Sequence, residues 1–231
     1  MNIRKLIRLI AFSLLCFTFF SCASSAELEI ASTGDVTVRL SIQPSQNTAV
    51  VVKNAVGETD SLFDKAEITK QLKSENIETL DFRTDQSSAV FGSFKIPNER
   101  VQSSELFDID VSAKTVSCNI SKENLAPLIE SFPQDIKDYL DLFVSPITTG
   151  ESLTSNAYEE LVASVYGPKI ANELKTSFFK VVVSCPGVIV SVKTEPEGRV
   201  RYFAGNSATL TVPLSYILTL DKPLKISINY K

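Results

Sequence analysis

The chain reads as an α+β protein: a mainly antiparallel sheet built from N- and C-terminal strands, with a central helical block packed on one face. Three observations predict this. Strict apolar–polar alternation opens the domain at Val36-Thr37-Val38-Arg39-Leu40-Ser41-Ile42. Helical spacing takes over from Ser121 to Ser177, and β-branched runs return from Phe178 to the last residue. Strands, then helices, then strands is the order of an α+β domain rather than of an alternating βαβ one.

In order, Val36, Val38, Leu40 and Ile42 form the inward face of the first strand. Pro44 to Asn47 turns, and Thr48-Ala49-Val50-Val51-Val52 reads as its hairpin partner. Gly57 to Ser61 supplies turn residues and a cap for a helix over 61–75, carried by Leu62, Phe63, Ala66, Ile68 and Leu72. Strands follow at Leu80–Thr84 and Ser88–Ile96, with Gly92 as the mark of a bulge. Glu105–Ala113 alternates Phe107, Ile109 and Val111 against Asp108, Asp110 and Ser112, and Thr115–Ile120 is a further strand. Asp108-x-Asp110 has a calcium-like spacing. It lacks the glycine and distal Glu of an EF-hand loop, and alternation puts both carboxylates on a strand's solvent face.

The middle changes period. Ser121 caps a helix through Ile129, with Pro127 inside it as a kink or early end. Pro133 opens the next, striped by Ile136, Tyr139, Leu140, Phe143 and Val144 and stopped by Pro146. Asn156-x-x-Glu159 reads as the entrance to a helix with Tyr158, Leu161, Val162, Val165 and Tyr166 on one face. Gly167-Pro168 stops it, and a shorter helix reaches about Lys175. Strands are then expected at Phe179–Val183, Val188–Thr194, Arg199–Phe203, Ala208–Val212, Leu214–Leu220 and Leu224–Tyr230. They turn at Cys185-Pro186-Gly187, Glu195-Pro196-Glu197-Gly198 and Gly205-Asn206-Ser207. The layout resembles the LppM-type domain of bacterial envelope lipoproteins in its first strands, its helical middle and its Cys185-Pro186-Gly187 and Gly205-Asn206 hairpins. That resemblance implies an α+β fold related to lipid-handling or envelope-associated modules, and it brings no catalytic residues.

The first 21 residues stand apart. Arg4, Lys5 and Arg8 form a basic head, and Leu9 to Phe20 is an apolar run of about a dozen residues, short of the roughly 20 that span a bilayer. This is the pattern of an export signal. Phe19-Phe20-Ser21-Cys22 resembles a bacterial lipobox, with a bulky residue at −3, a small one at −1 and cysteine at +1. Phe19 and Phe20 depart from the usual residues, as in the relaxed lipoboxes of spirochaetes and some other bacteria. The resemblance implies cleavage after Ser21, diacylglyceration of the Cys22 thiol and acylation of the new N-terminus. An ordinary signal peptide cut near Ala23 to Ala26, or an uncleaved anchor, are the other readings. The expected organisation is a signal peptide over 1–21, a short tether over 22–35 and a single domain over 36–231.

Composition excludes several chemistries. Without the leader the chain carries 20 Lys and Arg against 27 Asp and Glu, a net charge of −7. That opposes nucleic-acid binding, and binding of anionic headgroups by charge alone. Histidine is absent, which removes Ser-His-Asp and Cys-His catalysis, imidazole metal sites and histidine pH switches. Neither a cofactor nor a metal is expected. Cys118 and Cys185 remain after the leader. An exported compartment permits a disulfide between them, which would stabilise by roughly 4 kcal/mol in the chain-entropy picture. Two buried free thiols are the alternative.

The expected function is that of a non-enzymatic cell-envelope lipoprotein. Cys22 would anchor it to the inner or outer membrane, with the domain outside the cytoplasm binding a protein partner or an apolar ligand. One alternative is a hydrolase using Ser121-Lys122 or the Glu159-Glu160 carboxylates, although no Ser-x-x-Lys or Gly-x-Ser-x-Gly frame is present. Another is a structural or assembly component of an outer-membrane complex.

Overall fold

Alternating residues make a strand where one face meets an apolar layer and the other meets water. Eleven strands occur in the computed structural model, most of them meeting that condition; it describes residues 24–43, 45, 69–70, 72–73, 76–84, 89–103, 106–129 and 143–231. Cys22, Thr48–Val52 and most of the helix expected over 61–75 lie outside the described residues. In chain order the strands are β1 (Ser25–Ile30), β2 (Val36–Ile42), β3 (Glu78–Thr84), β4 (Val90–Ile96), β5 (Phe107–Asp110), β6 (Thr115–Ile120), β7 (Phe178–Ser184), β8 (Ile189–Glu195), β9 (Val200–Ala204), β10 (Ser207–Pro213) and β11 (Leu224–Tyr230). The helices are α1 (Asn98–Gln102), α2 (Lys122–Ile129), α3 (Ser155–Tyr166), α4 (Pro168–Thr176) and α5 (Leu214–Thr219), with a further helical stretch at 143–148.

The fold class is α+β, as the patterning predicts. The strands sort into two sheets rather than one: a seven-stranded sheet ordered β3-β4-β2-β1-β7-β10-β9 and a four-stranded sheet ordered β5-β6-β11-β8. Every pairing is antiparallel except β1 with β7, where Ser25 opposes Lys180 and Glu29 opposes Ser184. Each sheet therefore draws on both ends of the chain. In the larger one the two halves meet through a parallel seam.

The tether expected over 22–35 is corrected. Ser25–Ile30 is β1, a central strand, with Ala26 and Ile30 buried and Glu27 and Glu29 facing out. The signal was there as Ala26-x-Leu28-x-Ile30, but three apolar positions led by an alanine make a weak alternation. β2 has β1 on one edge and β4 on the other, so both of its edges are taken. The turn between β1 and β2 closes with Gly34 at φ 84°, a conformation open to glycine at no steric cost.

Leu214–Thr219 was expected as a strand and is a helix. Leu214, Ser215, Ile217, Leu218 and Thr219 are buried and Tyr216 is half-buried, and a short segment buried on most sides has little periodicity to separate helix from strand. The Ser215 carbonyl accepts from the Thr219 hydroxyl at 3.0 Å, which satisfies a buried polar side chain inside the helix. The stretch at 143–148 continues past Pro146, where a stop was expected. α3 is capped by Thr154, whose hydroxyl accepts from the Ala157 N–H at 3.3 Å, two residues before the expected entrance. Gly167, at φ 87° and ψ 163°, ends α3 and begins α4. That extended ψ is what the following Pro168 requires.

One contiguous apolar cluster holds the inner faces of both sheets and the buried faces of α2 to α5. Tyr158 and Val162 of α3 are fully enclosed in it, and the Tyr158 hydroxyl donates to the Phe143 carbonyl at 2.8 Å. The Phe143 ring stacks on Tyr166 with centroids 4.7 Å apart. The expected bulge at Gly92 is instead a close approach. The register shift lies in β3, between Thr79 and Asp81, and a Cβ on Gly92 would sit 2.6 Å from the Phe94 ring. Gly92→Ala should therefore overpack the core and destabilise by about 1–3 kcal/mol, read as a lower urea midpoint with an unchanged denaturant slope.

Candidate functional site

The residue type with a nameable chemical role in the sequence is Cys22, so the site is built from the described chain nearest to it. Ser24 is buried, 2% exposed, and its carbonyl accepts from the Lys180 N–H at 3.0 Å. The next residue, Ser25, lies between Ser41 of β2 and Lys180 of β7. The chain is thus pinned into the sheet from Ser24 onward. Cys22 stands two residues before Ser24 in the sequence.

The same end carries the start of β7 and the end of α4. The Ser177 carbonyl accepts from the Leu214 N–H at 3.0 Å, and Phe178 opposes Pro213. Phe178 is 40% exposed, although its neighbour Phe179 is buried. Sequence reading assigned no role to Ser24, Phe178 or Lys180. Their nearness to the start of β1 follows from the β1–β7 register, which no local motif encodes.

The other candidates are dispersed and locally occupied. Asp108 and Asp110 oppose Ser117 and Thr115 on the outer face of the smaller sheet. Asp110 accepts from the Ala113 N–H at 2.8 Å and so stabilises the turn into β6. No group of three or more Cys, Asp or Glu side chains able to hold a metal ion occurs among the described residues. Ser121 and Lys122 do not form a dyad. The Ser121 N–H donates to the Asn124 side chain at 2.8 Å at the start of α2, and the Lys122 ammonium donates to the Glu151 carbonyl. The Ser121 hydroxyl holds the Glu123 carboxyl below the usual range. Glu159 and Glu160 are adjacent on α3 and point apart. Glu159 pairs with Lys175 at 3.6 Å and ties α3 to α4.

The disulfide expectation is corrected: Cys118 and Cys185 are free thiols and both are buried. Cys118 opposes Ile226 on β11. Cys185 lies toward the Tyr230 end of that strand, where Gly187 packs on the Tyr230 ring. Four residues of strand span about 13 Å, beyond disulfide reach.

The chain matches no family model, no curated protein and no solved structure.

Burial raises the Cys118 thiol from its ordinary 9.0 to about 12 and the Cys185 thiol to about 11. Below pH 9.0 the folded and unfolded chains both keep these protons. Above it the unfolded chain ionises while the folded one does not, so stability falls as pH rises from 9 toward 12. Burial raises the Tyr158 phenol in the same sense. Urea midpoints measured on either side of pH 9 should drop on the alkaline side. The drop should be smaller in a Cys118→Ala/Cys185→Ala chain.

Proposed function

We propose that the chain is a non-enzymatic lipoprotein of a bacterial cell envelope, anchored by an acylated Cys22 and acting outside the cytoplasm as a binding or interaction module. The observation that carries this reading is the position of Cys22. It follows the lipobox-like Phe19-Phe20-Ser21 directly, and it precedes by two residues the buried Ser24 at the root of a central strand. A cut after Ser21 would leave the whole of β1 in the mature domain. A cut near Ala26 would remove the start of that strand, including Ser24 and Ser25, whereas a cut after Ala23 would leave it whole. The capping and tying roles of Ser121, Lys122 and Glu159 support a non-enzymatic domain over a hydrolase.

Of the two classes of partner, a protein is favoured over an apolar cargo. The helical stripes that a ligand groove would draw on are used in packing: Tyr158, Val162, Ala171 and Leu174 are buried. Apolar side chains stand instead on an open edge. β9 ends the seven-stranded sheet with Tyr202 66% and Phe203 40% exposed. An unpaired edge with aromatic side chains offers ladder hydrogen bonds and contact area to another chain.

Cys22→Ala tests the anchor. Expressed in a host that acylates lipoproteins, the variant should lose incorporation of an alkyne fatty-acid probe. It should also move from the detergent phase to the aqueous phase in phase separation, since acyl chains supply the membrane affinity. A variant that stays labelled and membrane-bound would overturn the reading.

A further inference from the structure

We propose that the open edge of β9 receives an extended, acidic segment of another protein, which joins the seven-stranded sheet as a further strand. The inference rests on the reading of the chain as a binding module, and it gives that module its contact edge and the chemistry of its partner.

Three observations carry it. The first is the edge itself. β9 ends the sheet, and among the described residues no strand pairs with its outer side. A strand in a sheet ordinarily buries one face. Yet Arg201, Tyr202, Phe203 and Ala204 are all exposed, while Ala208 and Leu210 of the neighbouring β10 are fully buried. The turn from β9 into β10 has two residues, with Gly205 at φ 58°. Such a turn makes Ala204 and Ser207 the closing hydrogen-bonded pair and leaves Phe203 and Ala208 as a non-hydrogen-bonded one. The Phe203 N–H and carbonyl therefore point away from β10, to the open side, where a further strand would meet them.

The second is charge. β7, β9, β10 and the residue leading into β9 hold the bases Lys180, Arg199 and Arg201 and no Asp or Glu. None of these bases is in an ion pair among the described residues. The Arg199 guanidinium lies over the Tyr216 ring at 4.6 Å, and Arg201 donates to the Thr211 hydroxyl at 3.1 Å. Both are thus held at the edge by uncharged partners. Of the acids nearest in sequence, Glu195 pairs with Lys225 at 3.2 Å and Glu197 stands in the turn before β9. This basic edge belongs to a chain whose net charge without the leader is −7. A second copy is a poor occupant. Paired antiparallel along β9, it would bring Arg199 and Arg201 of two chains to one joint, and like charges across a strand pair destabilise it. Acidic side chains there would meet guanidinium groups that no acid of this chain neutralises.

The third is the apolar end of the same edge. The Ile189 N–H donates to the Gly205 carbonyl at 2.7 Å, which sets the exposed Val188 and Val190 beside the Gly205 end of β9. The edge thus runs from bases at Arg199 and Arg201 to apolar groups at Phe203, Val188 and Val190. A segment that fits it carries Asp or Glu at one end and apolar residues at the other. Ladder hydrogen bonds supply its affinity, and the side chains supply its specificity.

The test pans a phage-displayed library of random nine-residue peptides against the full chain, expressed in a host that acylates lipoproteins and held in detergent micelles. Fluorescence anisotropy then gives the affinity of the enriched peptides. These should carry acids next to apolar residues and bind more weakly at high salt. Phe203→Pro removes an outward N–H, a change that an edge strand tolerates, and should weaken binding about tenfold. Phe203→Ala keeps that N–H and should weaken it less. Arg201→Glu, at an exposed position, should also weaken binding about tenfold and shift the preference toward basic peptides. Urea midpoints check that the variants fold, and Arg201→Glu carries the test alone if Phe203→Pro does not. Enriched peptides without acids, affinity indifferent to Arg201→Glu, or a dimer that this substitution alters would each overturn the proposal. Peptides that bind but ignore every β9 variant remove the edge and leave a binding module. No enrichment removes the edge and counts against the module as well. Mass analysis of the N-terminal peptide reads the state of Cys22 in the same preparation, so the anchor stands or falls separately.

Discussion

β1 is the strand on which the larger sheet depends. Its six residues separate β3-β4-β2 from β7-β10-β9. Without β1, each of those sets would end on an open edge next to the core. On one side β1 pairs with β2, a partner a few residues away. On the other it pairs with β7, more than 150 residues later, in the parallel sense. A hairpin cannot make a parallel pair, so the seam requires the intervening chain to be placed first or placed together with it. Loop-closure cost grows only slowly with length. What this topology loses is therefore folding speed more than stability. The seam holds because Ala26 and Ile30 enter the same apolar cluster as Phe179 and Val183 of β7.

From that seam follows the division of labour between the faces. Inward positions of both sheets feed one core, and outward positions carry charge and hydroxyls. Glu29 meets Arg39 at 2.8 Å on the larger sheet, and Lys225 meets Glu195 at 3.2 Å on the smaller one. Such half-exposed pairs contribute little to stability. Their consequence here is that the outer faces are polar, and the exposed large apolar groups fall mainly at strand ends and edges: Phe178 at the root of β7, Tyr202 and Phe203 on β9, and Val188 and Val190 around the start of β8. Features that look chemical in the sequence are absorbed by the same structural demands. Asn124 and Ser121 serve a helix start, Asp110 serves a turn, and Lys175 joins two helices.

Most strands and helices were legible because their patterns are local. β2, β6 and β11 match their expected spans to the residue, and α3 and α4 fall where the Gly167-Pro168 stop divides them. Three things were not legible, each for a physical reason. α5 is buried at five of its six residues and so lacks a clear amphipathic period. β1 has only three inward residues, one of them alanine, next to a segment whose composition looks like a linker. The split into two sheets is a matter of which strand finds which edge. The Glu195–Gly198 turn reads as a simple hairpin, yet β8 leaves it in the smaller sheet and β9 enters the larger one. Of the candidate site, the sequence named Cys22 and nothing around it. The neighbours of Ser24 and Ser25 are set by the β1–β7 register, a pairing between distant segments that no spacing rule reports.

Losing the tether changes what an anchor on Cys22 would do. A flexible linker of 14 residues would have a root-mean-square reach of about 20 Å and leave the domain free to turn. Two residues leading into a pinned strand leave it almost no such freedom. The sheet end opposite Ser24 carries the β1–β2 turn and the Gly205-Asn206 turn. The exposed edge at Tyr202 and Phe203 stands part-way up its side, level with Glu27 and Leu28 through the β10 and β7 registers.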